Sequence, residues 1–213
     1  MVKYLFILAV IFSAGAYAQR PANQTKLVHY AMDSFQDATV KLKSGQRYTQ
    51  KMNYNLVTKE MIFEQNGKYL SIANPASVDT VYFGQRKFVP GEKMFYEYLT
   101  GTTAPLMIEY TCTIKTPGAN TGYGTSNTAA VTSYNALLTS GAAYELKLPD
   151  DFQVIPGRMF FIRRNGEFLK FNNESQFTRI FADKKDQVKT FLSANRVSFS
   201  KAEDLVPLVQ QLQ

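Results

Sequence analysis

One cysteine, one histidine and no tryptophan occur in the 213 residues of this chain. A lone thiol, Cys112, excludes an internal disulfide, a thiolate zinc cluster and an iron–sulfur centre. A lone imidazole, His29, excludes any site built from two or more histidines. No D-x-D-x-D loop is present to hold a cation through oxygen ligands. Gly122-Tyr123-Gly124 has a superficial likeness to a phosphate loop, but no Gly-Lys-Ser/Thr follows and the third glycine of the dinucleotide fingerprint is missing. We therefore expect no metal and no cofactor. Long apolar runs are also scarce. The longest, Tyr4 to Phe12, falls well short of the ~20 residues that span a bilayer. With 45% apolar and 19% charged residues, the composition excludes a disordered chain, a collagen-like repeat and a polytopic membrane protein.

What is present begins with a leader. Lys3 supplies a basic start, YLFILAVIF an apolar stretch, and Ala16-Tyr17-Ala18 small residues where signal peptidase reads. Residues 1–18 are expected to be a signal peptide cleaved after Ala18, with no transmembrane segment left afterwards. The mature product is then periplasmic or secreted. The whole chain carries 24 basic and 17 acidic residues, a net charge of +7. Removing Lys3 leaves 23 − 17 = +6 for the mature chain. Export and the scatter of Lys41, Lys43, Arg86, Lys87, Arg163, Arg164, Lys184 and Lys185 argue against nucleic acid and for a solvated basic surface.

Residues 19–38 are polar and read as a loosely ordered amino-terminal segment. From Thr39 the period is that of a sheet, with Val40 and Leu42 alternating with lysines before a turn at Gly45. Two Asn-Gly pairs stand out as type I′ turns. Asn66-Gly67 sets Gln65 opposite Lys68, Phe63 opposite Leu70 and Met61 opposite Ile72. Asn165-Gly166 sets Arg164 opposite Glu167, Ile162 opposite Leu169 and Phe160 opposite Phe171. The likeness of NGKYLSIAN to NGEFLKFNN fits a duplicated half-domain, although convergence of type I′ hairpins explains it as well. Val78 to Val89 predicts a strand pair turning near Gly84, and Met94 to Leu99 and Leu106 to Lys115 two longer strands. Thr116 to Ala130 is a charge-free Gly/Thr/Asn loop.

After Phe171 the period becomes helical. Phe177, Ile180, Phe181, Val188, Phe191 and Leu192 recur at helix spacing, with Asp183 placed to cap a helix start and Asn195 to end it. Ser200 to Glu203 forms a capping-box pattern ahead of the stripe Leu205, Leu208, Val209 and Leu212, and Pro207 is expected to kink or split that helix. The fold class that follows is α+β: an antiparallel β-rich domain of hairpins and meander over 39–213, with a helical carboxyl-terminal part at 174–213.

Candidate chemistry is thin. His29 lies near a polar terminus and reads as an ordinary surface or edge residue, and Cys112 as a buried or half-buried strand residue. No catalytic, cofactor-binding or metal-binding residue is assigned. Carboxylate pairs could serve a hydrolase without histidine; Asp150-Asp151, Glu203-Asp204, Glu97 and Glu109 are the candidates. The 13 Tyr and 16 Phe suit either core pairs or stacking on sugar rings.

The leader, YNLVTKEMIF with NGKYLSI, VDTVYFGQRKFVP, YGTSNTAA and KKDQVKTFLSANRVSFSKAEDL together resemble a group of uncharacterised exported proteins of Bacteroidota. The resemblance implies a bacterial envelope or extracellular protein without a known activity. In that setting Asp79-Thr80-Val81 also looks like an O-glycan acceptor. The expected function is that of a non-enzymatic envelope or secreted protein that binds another envelope protein or a surface glycan. The alternative is a carboxylate-dependent hydrolase of envelope polysaccharide, and a third reading is a carrier of apolar ligand inside a β-barrel.

Overall fold

Asn66-Gly67 and Asn165-Gly166 adopt φ of 53° and 73°, and of 53° and 84°. Positive φ at both central residues is what a type I′ turn requires. Each pair closes a two-residue hairpin in the register counted from its sequence. In the first, β3 (Met61–Gln65) and β4 (Lys68–Ser71) set Gln65 opposite Lys68 and Phe63 opposite Leu70. In the second, β11 (Gln153–Arg164) and β12 (Glu167–Phe171) set Ile162 opposite Leu169 and Phe160 opposite Phe171.

The computed structural model describes residues 27–115, 134–149 and 152–213, with the backbone of 120–121 and 124–125. The leader at 1–18, residues 19–26, Gly122-Tyr123, most of the Thr116 to Ala130 loop and the Asp150-Asp151 pair lie outside the described residues. The remaining strands are β1 (Gln36–Leu42), β2 (Arg47–Tyr54), β5 (Val78–Phe83), β6 (Arg86–Pro90), β7 (Phe95–Thr100) and β8 (Leu106–Lys115). With the two hairpins they form one ten-stranded antiparallel sheet, ordered β12-β11-β8-β7-β6-β5-β1-β2-β3-β4. Two-residue strands β9 (Asn120–Thr121) and β10 (Gly124–Thr125) pair separately.

Side chains alternate across a strand, so the sheet has an inner and an outer face. Val40, Met52, Tyr54, Val81 and Phe88 are fully buried on the inner one. Four strands separate β2 from β8 in the sheet order, yet the Tyr54 ring lies 6.5 Å from Tyr110 on β8 and 6.0 Å from Phe88 on β6. The sheet therefore curls on itself, and these interlocked rings occupy the inside of the curl. Beyond the curl the same face continues through Leu106, Ile108, Phe160, Ile162 and Phe171. After helix α1 (134–139), helices α2 (Glu174–Ile180), α3 (Lys185–Ala194) and α4 (Ala202–Gln211) cover it, burying Phe177, Phe181, Val188, Leu205, Leu208 and Val209. Each large apolar side chain so buried contributes about 2 kcal/mol. The architecture is α+β, as the change of period indicates.

Several local expectations fail for physical reasons. Residues 27–38 are not loosely held. Leu27, His29, Tyr30 and Met32 are buried, because the Ala31 amide donates to the Tyr54 carbonyl at 2.9 Å and Asn53 bonds both backbone groups of Met32. Asp183 does not cap a helix; its carboxylate takes a two-pronged bond from Arg164 at 2.8 Å. The cap at that end of the chain is Asn173, which accepts from the Gln176 amide at 2.9 Å, while Asn195 closes α3 through the Phe191 carbonyl. No capping box forms before α4. Its N-cap is Lys201, and Asp204 instead accepts from the Ser198 amide at 2.9 Å. Of the kink or split expected at Pro207, the split does not occur: α4 runs through it, with Leu205 buried before it and Leu208 and Val209 after it in the core beneath the sheet.

Candidate functional site

The hydrolase alternative needs two converging acids, and β-sheet parity decides the matter for Glu97 and Glu109. Glu97 on β7 sits opposite Ile108 on β8, so Glu109, one residue on, projects from the other face. Both are buried, at 5% and 4% exposure, and each meets a cation instead of a second acid. On the inner face Arg86 donates Nε–H to Glu97 Oε1 at 2.7 Å and Nη2–H to Oε2 at 3.0 Å. The Tyr110 hydroxyl donates to the same Oε2 at 2.6 Å. Burial, with Glu97 as acceptor, pushes this phenol up to about 12, so it stays a neutral donor. The Arg86 guanidinium lies 5.1 Å from the Phe88 ring centroid and 5.6 Å from that of Tyr110. Its charge is thus shared between a carboxylate and two aromatic faces. Glu109 accepts from Lys59 Nζ at 2.7 Å. Of the other acids, Asp204 is engaged at the start of α4 beside Glu203.

His29 is not a surface residue. It is fully buried, with Nε2 2.8 Å from the Glu145 carbonyl. A carbonyl only accepts, so Nε2 carries the proton and Nδ1 is a bare lone pair. Burial lowers the imidazole below its ordinary range. Cys112 is half-buried on β8, as its alternating strand suggests, with Sγ 3.5 Å from the Leu56 carbonyl. Burial pushes the thiol up despite the charge of Lys59, the opposite of what activates a nucleophile. Asp79-Thr80-Val81 lies within β5, where Thr80 is 8% exposed and its hydroxyl donates to Asp79. That hydroxyl is not presented as a glycan acceptor. Among the described residues no His, Cys, Asp and Glu cluster suits a metal ion, and no helix is long and apolar enough to cross a membrane.

The outer face at β6, β7, β8, β11 and β12 is different. Register carries one row across all five strands: Lys87 opposite Tyr98, Tyr98 opposite Met107, Met107 opposite Phe161 and Phe161 opposite Lys170. A cation therefore stands at each end of an aromatic and thioether row. Beside it Tyr96 stacks on Phe168 at 4.3 Å and 18°, and meets Phe161 edge-on at 5.3 Å. Lys87 Nζ lies 5.7 Å from the Tyr98 ring centroid and Arg163 Cζ 5.6 Å from that of Phe168. Gly91 makes room for this arrangement: a Cβ there would come within 2.6 Å of the Tyr96 ring. A groove of about 400 Å³ opens next to the stack, floored by Met94, Tyr96 and Phe168 and rimmed by Glu92, Lys93 and Glu167. Lys87, Arg163 and Lys170 are exposed and make no ion pair among the described residues.

Strand parity in the sequence places Lys87 with Val89, and Arg163 with Phe161, on one side each. It does not join them, because the pairing of β8 with β11 has no short turn to announce it. Comparison of the chain with protein-family models, with curated proteins and with solved structures finds no match.

Proposed function

We propose that this chain is an exported bacterial protein that acts by contact, holding an anionic surface glycan on the outer face of β6, β7, β8, β11 and β12. The observation that carries this reading is the set of exposed cations Lys87, Arg163 and Lys170, without an ion pair among the described residues, over and beside packed aromatic rings. Tyr98 and Phe168, partly exposed beside the buried Tyr96, Met107 and Phe161, offer apolar area to the C–H faces of a sugar, and the neighbouring cations meet its carboxylate or sulfate groups. Release after Ala18 delivers such a protein to the envelope or the medium, where acidic polysaccharide is encountered.

The test is titration of the mature protein with immobilised polygalacturonate, dextran sulfate and neutral dextran over a range of salt. Binding of one or both acidic polymers, weakening with salt, and none of neutral dextran is expected. The Lys87→Ala/Arg163→Ala/Lys170→Ala variant should lose about tenfold or more in affinity while remaining folded. Equal binding by the variant, or no binding of either acidic polymer, overturns the reading. Mass spectrometry of the exported product should find Gln19 at its amino terminus.

A further inference from the structure

Residues 134–148 run from α1 (134–139) through a short 3-10 turn at Ala142–Tyr144 to Leu148. Leu137, Ala143 and Leu148 are buried against Val57, with Cys112, Ile114 and Val154 of the sheet packed around them. Among the described residues, the segment's backbone-to-backbone bonds in this region stay within it: Ser140 to Ala136, Gly141 to Leu138, Tyr144 to Gly141 and Glu145 to Ala142. Side-chain donors acting on three successive carbonyls tie it to the body of the protein. Asn55 Nδ2–H donates to Ala143 at 2.6 Å, the Tyr30 hydroxyl to Tyr144 at 2.8 Å, and His29 Nε2–H to Glu145 at 2.8 Å. The Tyr144 hydroxyl in turn donates to Glu60 Oε2 at 2.8 Å.

Two of the three donors are indifferent to mild acid. An amide does not titrate there, and burial raises the Tyr30 phenol far above that range. His29 is the exception. Its Nδ1 is fully buried with no partner, which suits a neutral ring and penalises a second N–H with a positive charge. The titratable groups on the elements around it include Tyr30 beside it, with ring centroids 4.5 Å apart, Tyr134, Tyr144, Glu145 and Lys147 on the segment, Glu60 behind Tyr144, and Tyr69 on β4 beyond Phe35. Glu145 is exposed and Glu60 is held by Tyr144, so neither carboxylate meets Nδ1.

We propose that residues 134–148 are a strap released by acid, with His29 as the trigger. At neutral pH the imidazole is uncharged and the strap is closed. Protonation at Nδ1 drives His29 out of its dry position, breaks the bond to the Glu145 carbonyl, and frees the strap from Val57, Cys112 and Ile114. The opened protein presents an apolar strip of the inner face that is covered in the closed one. A single proton shifts the ratio of open to closed by at most about tenfold per pH unit.

Hydrogen exchange of the full chain, corrected for intrinsic rates, tests this at about pH 7.5 and about pH 5, on either side of the ordinary histidine range. A second readout is the reaction of Cys112 with 2,2′-dithiodipyridine, normalised to a free cysteine peptide. Acid should raise strap exchange and normalised Cys112 reactivity by about tenfold, with β8 and β11 amides still protected. His29→Gln keeps an N–H donor without a titration and should remain flat within about twofold. Tyr30→Phe removes a donor that does not titrate, and should raise strap opening by the same factor at both pH values. A flat wild-type response, an equal acid response in His29→Gln, loss of β8 protection together with the strap, or a pH-dependent effect of Tyr30→Phe overturns the proposal.

Discussion

Arg86 and Glu97 show how much one residue can depend on another. Glu97 is nearly buried and both its oxygens are occupied by Arg86 and Tyr110. Arg86→Met strips the charge partner and leaves a carboxylate in a low-dielectric setting. The variant should lose about 2–3 kcal/mol in urea unfolding, a little under the range for a fully buried pair because Arg86 is partly exposed. Removing both charges with Arg86→Met/Glu97→Leu should recover part of that loss, since only the Tyr110 hydroxyl is then left without its partners. A double variant no more stable than the single one would mean that the pair contributes by its own attraction and not by mutual desolvation relief. Neither the burial of Glu97 nor that of His29 is legible in sequence. Glu97 sits in a readable apolar strand, but the partners that bury it come from other strands, Arg86 and Tyr110, and His29 is enclosed by Glu145 far along the chain.

Hairpins were the readable elements, because a two-residue turn fixes both its own φ angles and the pairing of every residue beside it. At Gly166 the backbone stands at φ 84°, where a β-branched side chain is strained. Gly166→Val should therefore lower stability by about 1–2 kcal/mol by chemical denaturation, with Gly166→Asn losing much less. The helices were legible as apolar stripes but not in their ends. Ser200 and Asp183 both look like caps in sequence, yet Ser200 pairs with the Ser198 hydroxyl and Asp183 with Arg164. A short polar side chain has several partners of similar worth, and tertiary position chooses among them. The β8 to β11 ladder was not foreseeable either. It runs from Lys115 opposite Gln153 to Leu106 opposite Ile162, across a connection with no turn motif of its own. The outer-face row depends on that ladder, so its two ends could be read locally and its continuity could not.

For the molecule as a whole, acid should act in two windows. The folded imidazole of His29 titrates below its ordinary value of 6.5, so the unfolded chain binds more protons as pH falls from there. Stability is then fully present above about pH 6.5 and declines towards the lower folded value. The decline stops once the strap has opened, because the freed imidazole titrates like an unfolded one. Asp183, held down by its bond from Arg164, and Asp79, held down by Lys41, contribute stability that is lost only below the ordinary carboxylate range. Thermal midpoints measured from about pH 8 to about pH 3 should show both steps, with only the upper one abolished by His29→Gln. The sheet also ends in a way that bears on how the protein keeps to itself in a crowded compartment. β4 is its last strand, four residues long and opened by Lys68. Such a margin gives a neighbouring copy too few amides to template on, and a charge to desolvate in trying. Lys68→Val with Ser71→Val would turn that margin into an adhesive seam, and concentrated solutions of the double variant should form thioflavin-positive fibres where the parent stays clear.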